Sequence, residues 1–403
     1  MKILHTADWH LGHRLHEQSQ QEEQAAFLNW LHQYIDAAGI DILMVSGDVF
    51  DTGVPSTQSQ RLYYDFLINL RNTNCKHIVI TGGNHDAPGT LNAPKDLLAA
   101  LSIHVVGKAP EEVADEVFDF EVNGEKVVIG AVPYLRDQDI RKAVAGESFE
   151  EIGERYKQAL VNHYTDVANY IEQNYSAEIP AIGMGHLFAI GGSTSDSEQT
   201  IYVGNLGDIG ADDFPKRFDY LALGHLHRPQ SIGGNDMIRY SGSPNILSFS
   251  EVGYEKQVLV LHINDQKITE VEKVLIPKFR SLIRLSGPLD EVIEQLNEID
   301  KITHQFVPWV EVQLTEDTVG LGFSSINKAA EDLNLEVLKV TLKQAAERIG
   351  IDTNAEAVDL KELSPMAVFK MKCEEEEFDL NENQEIYDAF CEALDLAKGG
   401  GEA

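Results

Sequence analysis

Basic residues are scarce in this chain of 403 residues: 32 lysines and arginines stand against 66 aspartates and glutamates, giving a formal net charge of −34. A protein that binds a phosphate backbone by itself usually presents a basic surface. The composition therefore argues against a stand-alone nucleic-acid binder. A polyanionic substrate would need positive charge from bound metal ions or from a partner subunit.

Cysteines and long apolar runs are also rare. Cys75, Cys373 and Cys391 have spacings that suit neither a zinc knuckle nor a disulfide framework. No run of about 18 apolar residues occurs, so we expect no membrane-spanning segment, and the N-terminus lacks the pattern of a signal peptide. A reducing, cytoplasmic environment is the expectation.

The length predicts two or three domains, and a hydrophobic content of 43% predicts a packed core. Strand patterns at 2–7, 42–45 and 77–80 alternate with helix patterns at about 21–38 and 56–72. This alternation predicts an α/β protein with layered sheets covered by helices. Further along, the patterns predict a hairpin over 117–131, a helix at about 150–174 and strands at 179–184, 219–223, 237–240, 257–263 and 268–275.

The pattern changes after Pro277-Lys278, where strands at 279–285, 307–314 and 335–342 alternate with helices at 289–299 and 323–333. We predict three domains: 1–276, a small α/β domain at 277–347, and an acidic helical C-terminal segment at 348–403. From residue 350 the chain has fifteen acidic and four basic residues around two apolar stretches, Ala357–Phe369 and Ile386–Leu396. These stretches could pack on their own domain or dock on a partner.

Five short polar segments follow predicted strands, at the strand ends where α/β sheets place their sites. They are Asp8-Trp9-His10, Gly47-Asp48-Val49-Phe50-Asp51, Gly83-Asn84-His85-Asp86, Gly185-His186 and Gly224-His225-Leu226-His227. Each alone could be a turn or a polar surface. Together their imidazole, amide and carboxylate groups suit manganese, iron or zinc, and two such cations can clamp a phosphoester.

This ordered set resembles the calcineurin-like metallophosphoesterase family over residues 1 to about 275. Within the family, the chain is most similar to bacterial DNA-nuclease subunits in the segments Thr6–Gly12, Gly47–Asp51, Ser195–Glu198 and Tyr240–Pro244. The resemblance implies a sandwich of mixed sheets flanked by helices. It further implies that 277–347 caps the DNA and that the C-terminal segment binds a partner.

The resemblance also implies a role for each site residue. One metal would be held by Asp8, His10 and His227 and the other by Asn84, His186 and His225, with Asp48 bridging both. His85 would bind the scissile phosphate or protonate the leaving oxygen, where an imidazole can stabilise developing charge. Asp51 replaces a histidine of archaeal and eukaryotic relatives, and we expect it to be a site neighbour that orients a ligand histidine.

The implied activity is a manganese-dependent nuclease that degrades duplex ends and opens hairpins in DNA repair and recombination. The implied partner is a coiled-coil ATPase, and the implied assembly is a homodimer within a heterotetramer. Two other functions stay open: a small-molecule phosphodiesterase or phosphoprotein phosphatase using the same site, and a non-catalytic scaffold that binds DNA ends. Over contacts with phosphate, we favour surface or packing roles for His13 and His16, and ordinary surface charges for Arg14 and Arg136.

Overall fold

The computed structural model describes residues 1–140, 149–189, 192–195, 198, 209–315 and 321–342. The chain divides into two compact units, one made of Met1–Ile283 with Thr303–Trp309 and the other of Arg284–Ile302 with the chain from Val310. The predicted helical segment at 348–403, with its two apolar stretches, lies outside the described residues. In the described ranges, no helix is long and apolar enough to cross a membrane.

The strands are short, and those inside the two large sheets are mostly buried, as expected for sheets covered on their faces. In chain order the described strands are β1 (Lys2–Thr6), β2 (Arg14–Leu15), β3 (Gln18–Ser19), β4 (Ile42–Ser46), β5 (His77–Thr81), β6 (Ile103–Val106), β7 (Val117–Val122), β8 (Glu125–Ala131), β9 (Ala181–His186), β10 (Tyr220–Gly224), β11 (Gln230–Ile232), β12 (Asn235–Tyr240), β13 (Gln257–Asn264), β14 (Lys267–Leu275), β15 (Leu282–Gly287), β16 (Trp309–Leu314) and β17 (Glu336–Leu342).

Two of the described helices each have a recognisable signal at one end. In chain order the described helices are α1 (Gln21–Ala38), α2 (Thr57–Leu70), α3 (Pro88–Asn92), α4 (Lys95–Ala99), α5 (Asp137–Ile140), α6 (Phe149–Asn174), α7 (Leu289–Asp300) and α8 (Leu321–Ala330). At the start of α2, the Ser56 hydroxyl accepts a hydrogen bond from the Ser59 amide at 3.1 Å. At the end of α1, Gly39 adopts a left-handed conformation with φ 65°, which glycine does at little cost.

Two six-stranded sheets form the first unit. One has the order β14-β13-β1-β4-β5-β6 and the other the order β11-β12-β10-β9-β8-β7. Strands β1, β4, β5 and β6 run parallel, as do β12, β10, β9 and β8, whereas β13, β14, β7 and β11 pair antiparallel. The predicted mixed-sheet α/β class is therefore confirmed.

Three apolar clusters hold the layers together. Helices α1 and α2 cover the outer face of the first sheet, and α6 covers the second. Between the sheets lies a third cluster, in which residues such as Ile42 and Met44 from the first sheet meet Ile182 and Met184 from the second, all of them fully buried. This inner layer makes the first unit a sandwich of two sheets flanked by helices.

The second unit contains most of a three-stranded sheet, β15-β16-β17, together with α7 and α8. Helix α7 buries Val292, Leu296 and Ile299 on one face, which is the spacing of an amphipathic helix. The strand and helix order predicted after Pro277 is confirmed, although β15 begins at Leu282 rather than at 279.

The two sheets of the first unit approach each other closely where β4 and β10 end. A Cβ atom added at Gly224 would overlap the carbonyl oxygen of Ser46 and would lie 3.0 Å from the Cβ of Ala7. Residue 224 therefore has to be glycine for the two strand ends to come together.

We expect Gly224→Ala to lower the free energy of unfolding by about 1–3 kcal/mol, because the added methyl group has to push the strand ends apart. Gly253→Ala is the matched control, since in the described part of the chain no atom beyond the two neighbouring residues lies within 4 Å of a Cβ at that position. Urea denaturation of both variants measures the difference. Equal stabilities for the two would contradict the close approach at Gly224.

Candidate metal centre

The five polar segments meet at the carboxyl ends of the inner strands. Those after β1, β4 and β5 come from the first sheet and those at the ends of β9 and β10 come from the second. The ionisable ligand candidates of these segments are at most 5% exposed; they are Asp8, His10, Asp48, His186, His225 and His227. Asn84 and His85 are half-buried. Each sheet thus supplies part of one polar centre.

The first group of side chains is Asp8, His10 and His227, whose candidate ligand atoms all lie within 4.8 Å of one another. Asp8 Oδ1 accepts a hydrogen bond from the His225 amide at 2.8 Å. Asp8 Oδ2 and His10 Nε2 are buried and have no hydrogen-bond partner in the described part of the chain. Unpaired buried acceptors are costly unless a ligand satisfies them, so these atoms fit a cation.

The second group is Asp48, His186 and His225, again with ligand atoms within 4.8 Å of one another. Asn84 joins it, because its Oδ1 lies 2.9 Å from His186 Nε2 and 3.2 Å from His225 Nδ1. Asp48 Oδ2 lies 3.2 Å from His186 Nε2 and 3.6 Å from His10 Nε2. Asp48 therefore lies between the two groups, at the place of a shared ligand. The metal role of these residues stays a prediction.

Burial and mutual charge set the protonation of the centre. Burial would raise the pKa of Asp48, yet the imidazoles of His186 and His10 hold it well below its usual range. Burial would lower the pKa of His186, yet the Asp48 carboxylate raises it to about 9. Burial lowers the pKa of His10 to about 4 and that of His225 to about 3. The last two imidazoles are thus neutral at pH 7, which is the form that binds a cation.

Hydrogen bonds behind the centre fix the rings of the histidines. His10 Nδ1 lies 3.2 Å from Asp51 Oδ1, and His186 Nδ1 donates to the Ser46 carbonyl at 3.0 Å. Such contacts turn Nε2 of each ring towards the centre. Asp51 also lies 2.9 Å from His13 Nδ1, while His13 Nε2 faces the Leu247 carbonyl at 3.0 Å. His13 therefore packs beside the centre, in line with the favoured prediction.

Asp86 belongs to one of the five segments, but no role for it was predicted from the sequence. It is 1% exposed and accepts hydrogen bonds from the amides of Val49, Phe50 and Gly83 at 3.1, 3.0 and 2.9 Å. Burial, reinforced by the Asp48 carboxylate, raises the pKa of Asp86 to about 6. Asp86 ties the loop after β4 to the loop after β5. Its only sequence signal is its place two residues after Asn84.

Arg136 also lies closer to the centre than predicted. Its Nη2 donates to the Asp86 carbonyl at 2.8 Å, and its guanidinium lies over the Tyr134 ring at 5.6 Å. Arg136 is half-buried, so the prediction of an ordinary surface charge is wrong. Arg14 is exposed and donates to the Glu17 carbonyl, which agrees with a surface role.

Four of the predicted ligands have left-handed backbone conformations. The φ angles are 53° at Asp8, 44° at His10, 46° at Asp48 and 107° at His225. Such conformations cost a non-glycine residue about 1–2 kcal/mol, and they persist where surrounding contacts enforce them. Here the amides of Asp8 and His10 donate to the carbonyls of Gly47 and Asp48 at 3.1 and 3.0 Å.

We expect Asp86→Asn to lower the free energy of unfolding by about 1–3 kcal/mol and to weaken Mn²⁺ binding, because the amide replaces an acceptor that backbone donors require. Denaturation and Mn²⁺ titration measure the two effects. Asp219→Asn is the matched control: its carboxylate accepts one backbone hydrogen bond, from Ala181 at 2.8 Å, at the far end of β9. Unchanged Mn²⁺ binding in Asp86→Asn would contradict the role of Asp86 in holding the loops.

Two family models match the chain. Residues 1–229 match the one described as Calcineurin-like phosphoesterase, and residues 278–377 match the one described as Type 5 capsule protein repressor C-terminal domain. The first covers all five polar segments. The resemblance inferred from those segments is therefore confirmed.

Similar proteins match the sequence of the chain over most or all of its length. The SbcD subunit of the SbcCD nuclease from Escherichia coli is 34% identical over 405 residues, covering 100% of both chains. The SbcD subunits from Bacillus subtilis and Rhodobacter capsulatus are 33% and 34% identical, each covering 74% of this chain and 76% of the relative. The chain belongs to the calcineurin-like phosphoesterase family.

Proposed function

We propose that the chain is the nuclease component of a two-component DNA-processing complex and that it hydrolyses phosphodiesters with two Mn²⁺ ions. The observation that carries this proposal is the pair of adjoining buried ligand groups that share Asp48. The full-length similarity to an SbcD subunit of the SbcCD nuclease supports DNA as the substrate and an SbcC-type coiled-coil ATPase as the partner. Duplex ends and hairpins are the proposed substrates, and the cytoplasm is the proposed location.

The ligand set suits the proposed cations. Asp8, His10 and His227 would hold one ion and Asn84, His186 and His225 the other, with Asp48 between them. Imidazole, amide and carboxylate groups without thiolates suit Mn²⁺. When bound, two divalent cations supply positive charge to the phosphate and lower the pKa of an attacking water.

We propose that His85 donates a proton to the leaving oxygen. Its Nδ1 donates to the Asp51 carbonyl at 2.7 Å, and its amide donates to Asp48 Oδ1 at 2.9 Å. A carbonyl oxygen can only accept, so Nδ1 carries hydrogen and Nε2 is left for the substrate. The ring is half-buried, whereas the ionisable ligand candidates are buried. In the imidazolium form, Nε2–H can donate to the leaving oxygen.

The remaining parts of the chain have proposed roles as well. We assign 1–276 to the nuclease domain, 277–347 to a cap over DNA and 348–403 to docking on the ATPase. With a net charge of −34, attraction of DNA would come from the cations and the partner.

We further propose a homodimer within a heterotetramer. Ile68 on α2 and Leu97 on α4, which are 56% and 70% exposed, are candidates for the dimer interface.

A cleavage assay tests the substrate class. The purified chain, with and without an SbcC-type ATPase, is incubated with hairpin DNA and Mn²⁺, and cleaved strands are resolved on a gel. We expect cleavage that depends on Mn²⁺. Release of phosphate from a phosphoprotein without cleavage of any DNA would refute the nuclease proposal and favour a phosphatase.

His85→Ala tests the proton donor. We expect two Mn²⁺ ions to stay bound while hydrolysis falls by about 10²–10⁴-fold, the usual contribution of general acid catalysis. Metal analysis and the cleavage assay measure the two quantities. His262→Ala is the control, because His262 contacts only Glu272, at 3.0 Å, among the hydrogen bonds described for its ring. Full activity in His85→Ala would show that another group donates the proton to the leaving oxygen.

Deletion of residues 348–403 tests the docking segment. We expect the truncated chain to bind two Mn²⁺ ions and to lose association with the ATPase, because the docking role is assigned to the removed residues. Size-exclusion chromatography of the mixed proteins measures association, with the full chain as the control. Continued co-elution of the truncated chain would place the docking surface elsewhere.

A further inference from the structure

His227 is held from three sides by charged side chains that are not predicted ligands. Its amide donates to Glu198 Oε1 at 2.7 Å, and its ring Nδ1 lies 3.4 Å from Glu251 Oε1. Its carbonyl accepts a hydrogen bond from Lys256 Nζ at 3.2 Å. Backbone and ring of this histidine are therefore both fixed by groups behind the centre.

Glu251 and Lys256 form a buried ion pair. They are 0% and 7% exposed, and Lys256 Nζ lies 2.5 Å from Glu251 Oε2. Lys256 also donates to Ser243 Oγ at 2.7 Å, and Glu251 Oε2 accepts from the Leu247 amide at 3.2 Å. Removing two charges from water is expensive, and a buried pair often adds no stability over an apolar one. Stability alone is thus a weak explanation for the burial of these two charges.

The histidines of the two ligand groups differ in what lies at Nδ1. His227 faces the Glu251 carboxylate and His10 faces the Asp51 carboxylate, so both histidines of the first group have an anionic partner. In the second group, His186 faces the neutral Ser46 carbonyl. A carboxylate behind an imidazole fixes its tautomer and makes the other nitrogen a stronger ligand.

We propose that Glu251, held in place by Lys256, is a positioning residue that fixes the ring of His227 and selectively sets the cation affinity of the Asp8–His10–His227 site. The inference rests on the metal centre proposed above. Glu251 Oε1 fixes a proton at Nδ1 of His227, which leaves the Nε2 lone pair for the cation. Lys256 Nζ, 2.5 Å from Glu251 Oε2, holds the carboxylate in place beside the His227 ring. In the second group, His186 Nδ1 donates to the Ser46 carbonyl at 3.0 Å, and the Asp8 carboxylate is farther away at 3.9 Å, so the second site does not depend on the Glu251–Lys256 pair.

Mn²⁺ titration of the full-length chain by calorimetry tests the proposal with Glu251→Gln. We expect wild type to bind two Mn²⁺ ions. In the variant the negative charge beside the His227 ring is lost, and one of the two sites should weaken by about 10–100-fold, the usual effect of mutating the hydrogen-bond partner of a ligand histidine. The other site should keep its affinity. Electron paramagnetic resonance of bound Mn²⁺ gives an independent count of the occupied sites.

A double variant separates positioning from stability, because Glu251→Gln also leaves Lys256 buried without its partner. In Glu251→Gln with Lys256→Met the unpaired charge is gone, so the thermal midpoint should recover while Mn²⁺ affinity at the one site stays low. Recovery of both the thermal midpoint and the Mn²⁺ affinity would show that the Glu251–Lys256 pair only stabilises the fold. That result would overturn the proposal.

Glu116→Gln is the matched control, because Glu116 is also 0% exposed and lies 2.8 Å from His163, away from the predicted ligands. We expect it to leave both Mn²⁺ sites unchanged. A Glu251→Gln isotherm identical to wild type, or equal weakening of both sites, would overturn the positioning role and leave the proposed nuclease intact. Failure of wild type to bind two Mn²⁺ ions would instead overturn the metal centre and this inference with it.

Discussion

The contact between the ends of β4 and β10 is the constraint on which the rest of the first unit depends. Gly224 lies against the Ser46 carbonyl, the Ser46 hydroxyl donates to the Ala222 carbonyl at 2.9 Å, and that same Ser46 carbonyl accepts from His186. Predicted ligands from the two sheets face each other across this contact. Because each ligand group takes side chains from both sheets, the apolar layer that sets the distance between the sheets also sets the distances between ligands within each group.

Much of the fold could be predicted because its inner strands are buried on both faces. Such strands are short apolar runs followed by polar loops, as Ile42–Ser46 and His77–Thr81 are. The long helices α1, α2 and α6 each carry one apolar face, which gives them a clear helical period. The strand Ile103–Val106 was missed because four residues after two short helices give too little pattern.

The side chains that support the predicted ligands by hydrogen bonds are harder to predict, because they come from distant parts of the sequence. Glu251 and Lys256 follow His227 by more than twenty residues, and only the folded chain brings them to its ring and carbonyl. Asp86 binds three amides whose positions depend on two loops. Ligand types can be read from local segments, whereas hydrogen bonds between distant segments depend on tertiary packing. The left-handed φ angles of four ligand candidates are likewise invisible in residue identity.

Those φ angles affect how substitutions in the centre should be interpreted. Alanine at Asp8, His10, Asp48 or His225 would remove a polar group and also place an ill-suited residue in a left-handed conformation. Asparagine and glycine adopt that conformation more readily. An alanine scan would therefore exaggerate how much these four side chains contribute to stability and metal binding. His186 and His227 have no positive φ, so alanine there would not have this effect. Comparing each position with both asparagine and glycine would separate the cost of the backbone from the loss of the side chain.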